Sequence, residues 1–380
     1  MTSIAPVPDS PTAVAPPPSP AAAPVPRASA KPKRLPALDG FRFVAAILVV
    51  CFHLSSMWFL WGKSPADVLP RDYVRFTSYG WLGVELFFMI SGFVICMSSW
   101  GRGISQYFTS RVVRLYPAYW CGVIITSAVT LYFGGATSSP TKWDRLVNLT
   151  MLQEPMGVTY VDSVYWTLWV ELRFYLLFAV VVWMGTTYRR VVAFCVIWTT
   201  AGILSLATDS KALQYVLAPN TTPFFVAGIA FYLMYRYKQN LLLWGIVGFS
   251  FVLAEHNVIE RHRIVEHDIR RHLAEWPTHF VVAVFFVIMA GLALGWFNRL
   301  DFRWFTSLGT LTYPLYLLHC EIGWTIIIHY RDRVSPGVLV ASLTASSLVA
   351  AWLVHNLVEK RLGPRLNKAL KNTMATLPRT

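Results

Sequence analysis

Charge is scarce in this 380-residue chain: Asp, Glu, Lys and Arg make up 14% of it, against about 25% in a typical soluble domain. With 55% hydrophobic residues and a mean hydropathy of +0.48, the chain has too little polar surface to face water on all sides. That excludes a wholly disordered chain and an ordinary soluble globule, and it leaves a polytopic membrane protein. Acidic residues are scarcer still, 19 against 33 basic ones, for a net charge of +14. The basic residues are scattered between apolar segments and form no single stripe, so no nucleic-acid partner is expected. Cysteine is also sparse. Cys51, Cys96, Cys121, Cys195 and Cys320 show no CxxC spacing and lie in or beside apolar runs, which excludes a disulfide framework and a thiolate zinc site. They read as small buried apolar residues, and no metal is expected.

Residues 1 to 34 are dense in proline and alanine and lack an apolar run, so they read as a disordered tail. From residue 41 onward, apolar stretches recur between short polar connectors, as a bilayer about 30 Å thick requires of helices rising about 1.5 Å per residue. Ten are expected, near 41–61, 80–98, 116–134, 163–184, 191–207, 214–235, 241–254, 277–298, 305–328 and 336–357. The seventh is short for a span. The fold class is all-α, with a membrane domain over 35–364 and a basic tail over 365–380.

Lys and Arg concentrate in cytoplasmic connectors. With the N-terminus inside, inner segments hold twenty basic residues and outer connectors twelve, so both termini are expected in the cytoplasm. The longest outer connector, 255–276, mixes Arg, acids and His256, His262, His267 and His272, and reads as a solvated amphipathic segment. Its histidines lack the spacing and Cys partners of a metal site.

Ionisable groups within spans are costly, about 2.5–3.5 kcal/mol each for Arg, Lys or Asp on insertion scales, and so mark candidate function. His53 lies 11 residues after Arg42, which puts the two on one helix face at about 100° per residue. Asp39 falls to the other side of that face. Depth counting puts His53, Glu171 and His319 at similar levels near the bilayer midplane. A His facing a carboxylate in a dry site is the minimum for general-base catalysis, although either group can also be a packing residue or, for Glu171, a partner of Arg173. Arg111 and Arg114, one turn apart, can fork onto phosphates or serve as headgroup anchors.

Several ordered segments carry a resemblance. LPALDGFRFVAAILVVCFHL at 35–54, GWLGVELFFMISGFVI at 80–95, Arg111-x-x-Arg114, VDSVYWTLWVELRFYLLF at 161–178, LGTLTYPLYLLH at 308–319 and VEKRLGP at 358–364 resemble the motifs of the acyltransferase-3 family of integral membrane O-acyltransferases. Arg173, Thr167 and Thr312 depart from commoner residues of those motifs. The resemblance implies transfer of a short acyl group from acyl-CoA, acetyl-CoA above all, to a hydroxyl of a carbohydrate, glycolipid or glycosylated metabolite. It implies a bacterial inner membrane and a donor substrate in place of a resident cofactor.

On that reading His53 is the base and Glu171 orients His53 or the acceptor. Arg42 and Asp39 support the thioester or the helix mouth, and Arg111 with Arg114 holds CoA phosphates. Tyr313 and His319 join the donor site. The oxyanion partner stays open among Arg42, Tyr313 and backbone donors. So does the choice between direct attack and an acyl-histidine intermediate. Cys51 lies about 160° around the helix from His53, which argues against a Cys-His relay. A transporter for a sugar or acyl group is the alternative reading, with the polar stretch at Pro219–Pro223 as a candidate broken helix.

Overall fold

The computed structural model describes residues 35–376 apart from 138 and 301, and the expected disordered tail over 1–34 lies outside the described residues. Helix α1 (Pro36–Ser55) opens with proline in its first turn, where the missing N–H is no loss, and with Asp39 near the positive end of its dipole. Short helices α2 (Trp58–Trp61) and α3 (Arg71–Thr77) lead to α4 (Gly83–Ser99). Next come α5 (Ile104–Phe133), short α6 (Lys142–Asn148), α7 (Trp166–Met184), α8 (Tyr188–Ala207), short α9 (Lys211–Leu217) and α10 (Thr222–Tyr237). The chain closes with α11 (Leu241–Ile269), α12 (Glu275–Leu294), α13 (Arg303–Leu318), α14 (Cys320–Tyr330), α15 (Pro336–Val354) and α16 (Lys360–Thr376). Among the described residues there is no strand.

Among the described residues, nine helical segments are long and apolar enough to cross a membrane, and the bent pair α13 and α14 makes a tenth if it counts as one span. The ten apolar stretches of the sequence therefore correspond to ten helical segments. Outward-facing Leu131, Ile197, Val252 and Val287 are all more than half exposed, a distribution suited to hydrocarbon and not to water.

The seventh span differs from expectation. Asn240 caps it by accepting from the Leu243 N–H at 3.0 Å, and the helix then runs unbroken for 29 residues to Ile269. Its last 15 residues rise about 22 Å beyond the expected span end at 254. The expected solvated connector is thus a helix with one face packed: Val258, His262, Val265 and Ile269 are buried. His262 is held by the Thr278 hydroxyl at 2.8 Å and the Leu273 carbonyl at 3.2 Å. Glu266 accepts from the Leu273 N–H at 2.6 Å and pairs with His272 at 2.7 Å, so it staples the reversal into α12. The periodic apolar residues of this stretch outweighed its charges, because a helix needs only one buried stripe.

Helix α10 lies at the centre, buried continuously from Thr222 to Met234, and packs against α4. The two backbones meet at a pair of glycines. A Cβ on Gly228 would lie 1.9 Å from the Met89 carbonyl oxygen, and one on Gly92 would lie 2.2 Å from that of Phe225. No side chain fits there without separating the helices. Gly228→Ala is therefore expected to destabilise by about 3 kcal/mol or more, at the upper end of overpacking costs, read as a lowered unfolding midpoint of the detergent-solubilised protein. A midpoint equal to that of the parent chain would show that the two helices separate freely.

Candidate functional site: a histidine pair between two cavities

Helices α13 and α14 meet at a 57° bend, and His319 is the residue at the break. The last carbonyls of a helix lack partners within it. His319 meets that need with its own ring: Nδ1 lies 2.9 Å from the Tyr316 carbonyl and 3.2 Å from that of Leu315. A carbonyl only accepts, so Nδ1 carries the proton and a neutral ring presents its Nε2 lone pair. That Nε2 lies 3.0 Å from Nδ1 of His53 on α1. His53 Nδ1 must then donate, which leaves His53 Nε2 as the bare nitrogen of the relay.

The surroundings hold His53 in place. Trp324 donates its indole N–H to the His53 carbonyl at 2.8 Å and sets its ring edge-on to the imidazole at 5.7 Å. His53 lines a cavity of about 360 Å³ together with Trp81, Thr137, Ser163, Trp166, Arg261, Asp268 and Trp324. Glu321 anchors Thr137 in this wall, accepting from its hydroxyl at 2.9 Å. His53, His319 and Cys320 also place one ligand-type atom each within 4.8 Å of the others. The 3.0 Å N···N separation is shorter than the ~3.3 Å that two nitrogens about 2.0 Å from one tetrahedral ion require, and it fits a shared proton.

A second, tighter cavity of about 80 Å³ adjoins the first. Val84 and Tyr316 line both. Arg42, Arg114, Ser91, Glu171, Thr167 and Tyr313 line the second one. Tyr316 forms the partition and is fixed by the Thr167 hydroxyl at 2.8 Å and the Val164 carbonyl at 3.1 Å. Arg42 Nε and Tyr313 Oη are buried there without a hydrogen-bond partner among the described residues. Two idle buried donors are costly and suit an anionic or carbonyl oxygen brought by a ligand.

The geometry sorts the residues that the sequence proposed. Arg42, Arg114, Glu171 and Tyr313 come together, and His53 meets His319. Glu171 does not orient His53: it accepts from the Ser91 hydroxyl in the Arg42 cavity, and His319 holds the place expected for it. His319 is fully buried behind His53 and lines neither cavity, so it is not positioned to touch a donor. Asp39 packs against Gly309 behind the cavity wall, where a Cβ on that glycine would come within 2.5 Å of it. The arginine pair on α5 divides. Arg111 turns inward to the Ser98 hydroxyl at 2.5 Å and to the Tyr107 and Tyr175 rings, while Arg114 faces the cavity. Arg173 does not pair with Glu171 either; it packs on Trp169 and Tyr215 and donates to the Tyr215 carbonyl.

Two residues escaped the sequence reading. Glu85 is the one charged residue within α4, and its cost in an apolar span was the available signal. Arg261 was concealed by its place in a segment that looked solvated.

A multi-pass helical membrane protein with a histidine pair set beside two adjoining cavities is the class that fold and geometry define. The chain belongs to the acyltransferase-3 family, whose profile, described as an acyltransferase domain, matches residues 35–356. It is 23% identical to the acyltransferase MdmB of Streptomyces mycarofaciens, covering 86% of this chain and 91% of that protein. It is also 24% identical to the peptidoglycan O-acetyltransferase OatA of Listeria monocytogenes, over 38% of this chain and 24% of that protein. The O-acetyltransferase OatA of Staphylococcus aureus is 27% identical over 40% and 25%. The chain thus spans about a quarter of the OatA proteins it matches. No solved structure matches it significantly.

Proposed function

We propose that this membrane acyltransferase moves a short acyl group, acetyl in the simplest case, from acyl-CoA to a hydroxyl of a carbohydrate, glycolipid or glycosylated metabolite. The observation that carries the reading is the hydrogen-bond relay through His319, which leaves Nε2 of His53 free in a ring that lines a largely apolar cavity with Ser163, Arg261 and Asp268 in its wall. His53 Nε2 takes the acceptor hydroxyl proton as the oxygen bonds to the thioester carbonyl carbon. The carbon–sulfur bond then breaks, and the thiolate leaves and recovers the proton as free CoA. Arg42 and Tyr313 supply the two idle donors suited to the carbonyl oxygen that becomes negative. Arg114 reaches the donor's phosphates from the same cavity. In this arrangement the donor enters at the Arg42 end and the acceptor at the His53 cavity. The excess of basic residues on the Arg42 side supports cytoplasmic termini in a bacterial cytoplasmic membrane.

Liposomes carrying the purified protein, supplied with labelled acetyl-CoA and cell glycan or metabolite extract, are expected to yield an acylated product detectable by mass analysis. A product that gains no label from the thioester would remove the reading. The divided arginine pair gives a sharper expectation. Arg114→Ala should raise the KM for acyl-CoA about tenfold, the weight of one charge-assisted hydrogen bond, with little change in kcat. Arg111→Ala should instead lower the unfolding midpoint, because the buried Arg111 holds Ser98 and two tyrosine rings. An unchanged donor KM in Arg114→Ala would return that residue to a headgroup anchor.

A further inference from the structure

Arg261 lays its guanidinium 4.1 Å over Trp166, and these two residues, with Ile264, line both the His53 cavity and another chamber of about 310 Å³. No step of the transfer described above uses that chamber. Three buried polar atoms belonging to its lining residues have no hydrogen-bond partner among the described residues: Glu85 Oε2, Arg173 Nε and Arg261 Nε. Glu85 is only 3% exposed. Asn220, which donates to Glu260 at 2.9 Å, and Asn257 add further polar groups to the wall.

A buried carboxylate oxygen without a donor is costly, and a buried donor without an acceptor adds to that cost. Such a set persists where a ligand completes it. The ligand's chemistry follows from the mixture. Two arginines stand beside two glutamates, so the lining is close to neutral, and a lone cation or anion would meet like charge as well as opposite charge. A group with several hydroxyls, each both donor and acceptor, satisfies the carboxylate oxygen and the guanidinium N–H groups together. The volume lies at the lower end of ligand-site volumes, which run from about 300 Å³.

We propose that this chamber is a second acceptor subsite that holds a polyhydroxylated ring linked to the one reacting at His53, with Glu85 and Arg261 as specificity-determining residues. The proposal rests on the acyl-transfer reading and adds that acceptors carry at least two linked polyhydroxylated units. The C-terminal half of α11 brings Arg261 over Trp166 at the border of the two chambers, so the helix reads the acceptor across that border.

The test uses the full-length protein in liposomes, labelled acetyl-CoA, and a hydrolysed cell-surface glycan extract fractionated into one-sugar and two-to-three-sugar pools. The longer pool is expected to take label with at least a tenfold lower KM than the one-sugar pool. Glu85→Gln should raise the KM of the longer pool about tenfold and that of the one-sugar pool less than twofold, and Arg261→Gln, at a residue that lines both chambers, should raise the KM of the longer pool by the larger factor. Because Glu85 Oε2 accepts no hydrogen bond among the described residues and Gln keeps the side chain's shape, Glu85→Gln should not lower the unfolding midpoint. Equal use of both pools by the parent protein, or an equal KM rise for both pools in the variants, would overturn the subsite while leaving acyl transfer standing. A lowered midpoint with the pool preference intact would make Glu85 structural and overturn it as well. If Glu85→Gln does not fold, Arg261→Gln decides by the same criterion. No label in either pool with the parent protein would remove acyl transfer to glycans, and this subsite with it.

Discussion

His53→Ala is expected to lower acyl transfer by about three orders of magnitude while the protein keeps its folded yield and unfolding midpoint. Removing a general base costs typically 10²- to 10⁴-fold. His319 is sealed behind the missing ring, Glu171 is engaged with Ser91 in the adjoining cavity, and Cys51 lies around the far side of the helix. The fold should survive because the Trp324 indole donates its hydrogen bond to the backbone carbonyl at this position, which alanine keeps. Single-turnover transfer from labelled acetyl-CoA measures the loss. A variant that transfers at more than a tenth of the parent rate would show that some other group takes the acceptor's proton.

His319 provides the second large effect. On the acyl-transfer reading it acts through His53 as a positioning residue: its Nε2 accepts the His53 Nδ1 proton, and its own Nδ1 is tied to the carbonyls of Leu315 and Tyr316. Without that acceptor the His53 ring can carry its proton on Nε2, the tautomer that cannot serve as base. His319→Ala should therefore lower kcat about 10²-fold with the KM for acyl-CoA nearly unchanged. His319→Gln keeps an acceptor oxygen within reach of His53 Nδ1 and should recover about tenfold of that loss. A merely structural histidine at the α13–α14 bend would show no recovery with Gln, and a donor-binding one would show its loss in KM.

Several parts of this centre were legible in residue order. The 11-residue interval between Arg42 and His53 put both on one face of α1, and both line cavities that adjoin at Val84 and Tyr316. Depth counting brought His319 to the level of His53, and the two rings are hydrogen-bonded. Depth within a bilayer is one coordinate of three, so it does not say which group meets the His53 ring. Glu171 and His319 sat at comparable levels, and only the arrangement of α7 and α13 about α1 decided which of them met the ring. Arg111 and Arg114 were read together from their spacing. Residues three apart are still separated by about 60° around the axis, enough for one to turn to tyrosines while the other faces the cavity.

What the sequence alone determined is the all-helical class and the approximate number of spans, since bilayer thickness requires about twenty apolar residues per helical span and lipid leaves the backbone only helices or closed barrels to satisfy its polar groups. It also determined family membership, through six ordered motifs. Tertiary structure alone decided which charged side chains share a cavity, that His319 and not a carboxylate holds the His53 proton, and that the charged end of α11 shapes the chamber beside them. Those outcomes depend on the rotation of each helix about its axis, which is set by close contacts such as the Gly92–Gly228 crossing and leaves no periodic mark along the chain.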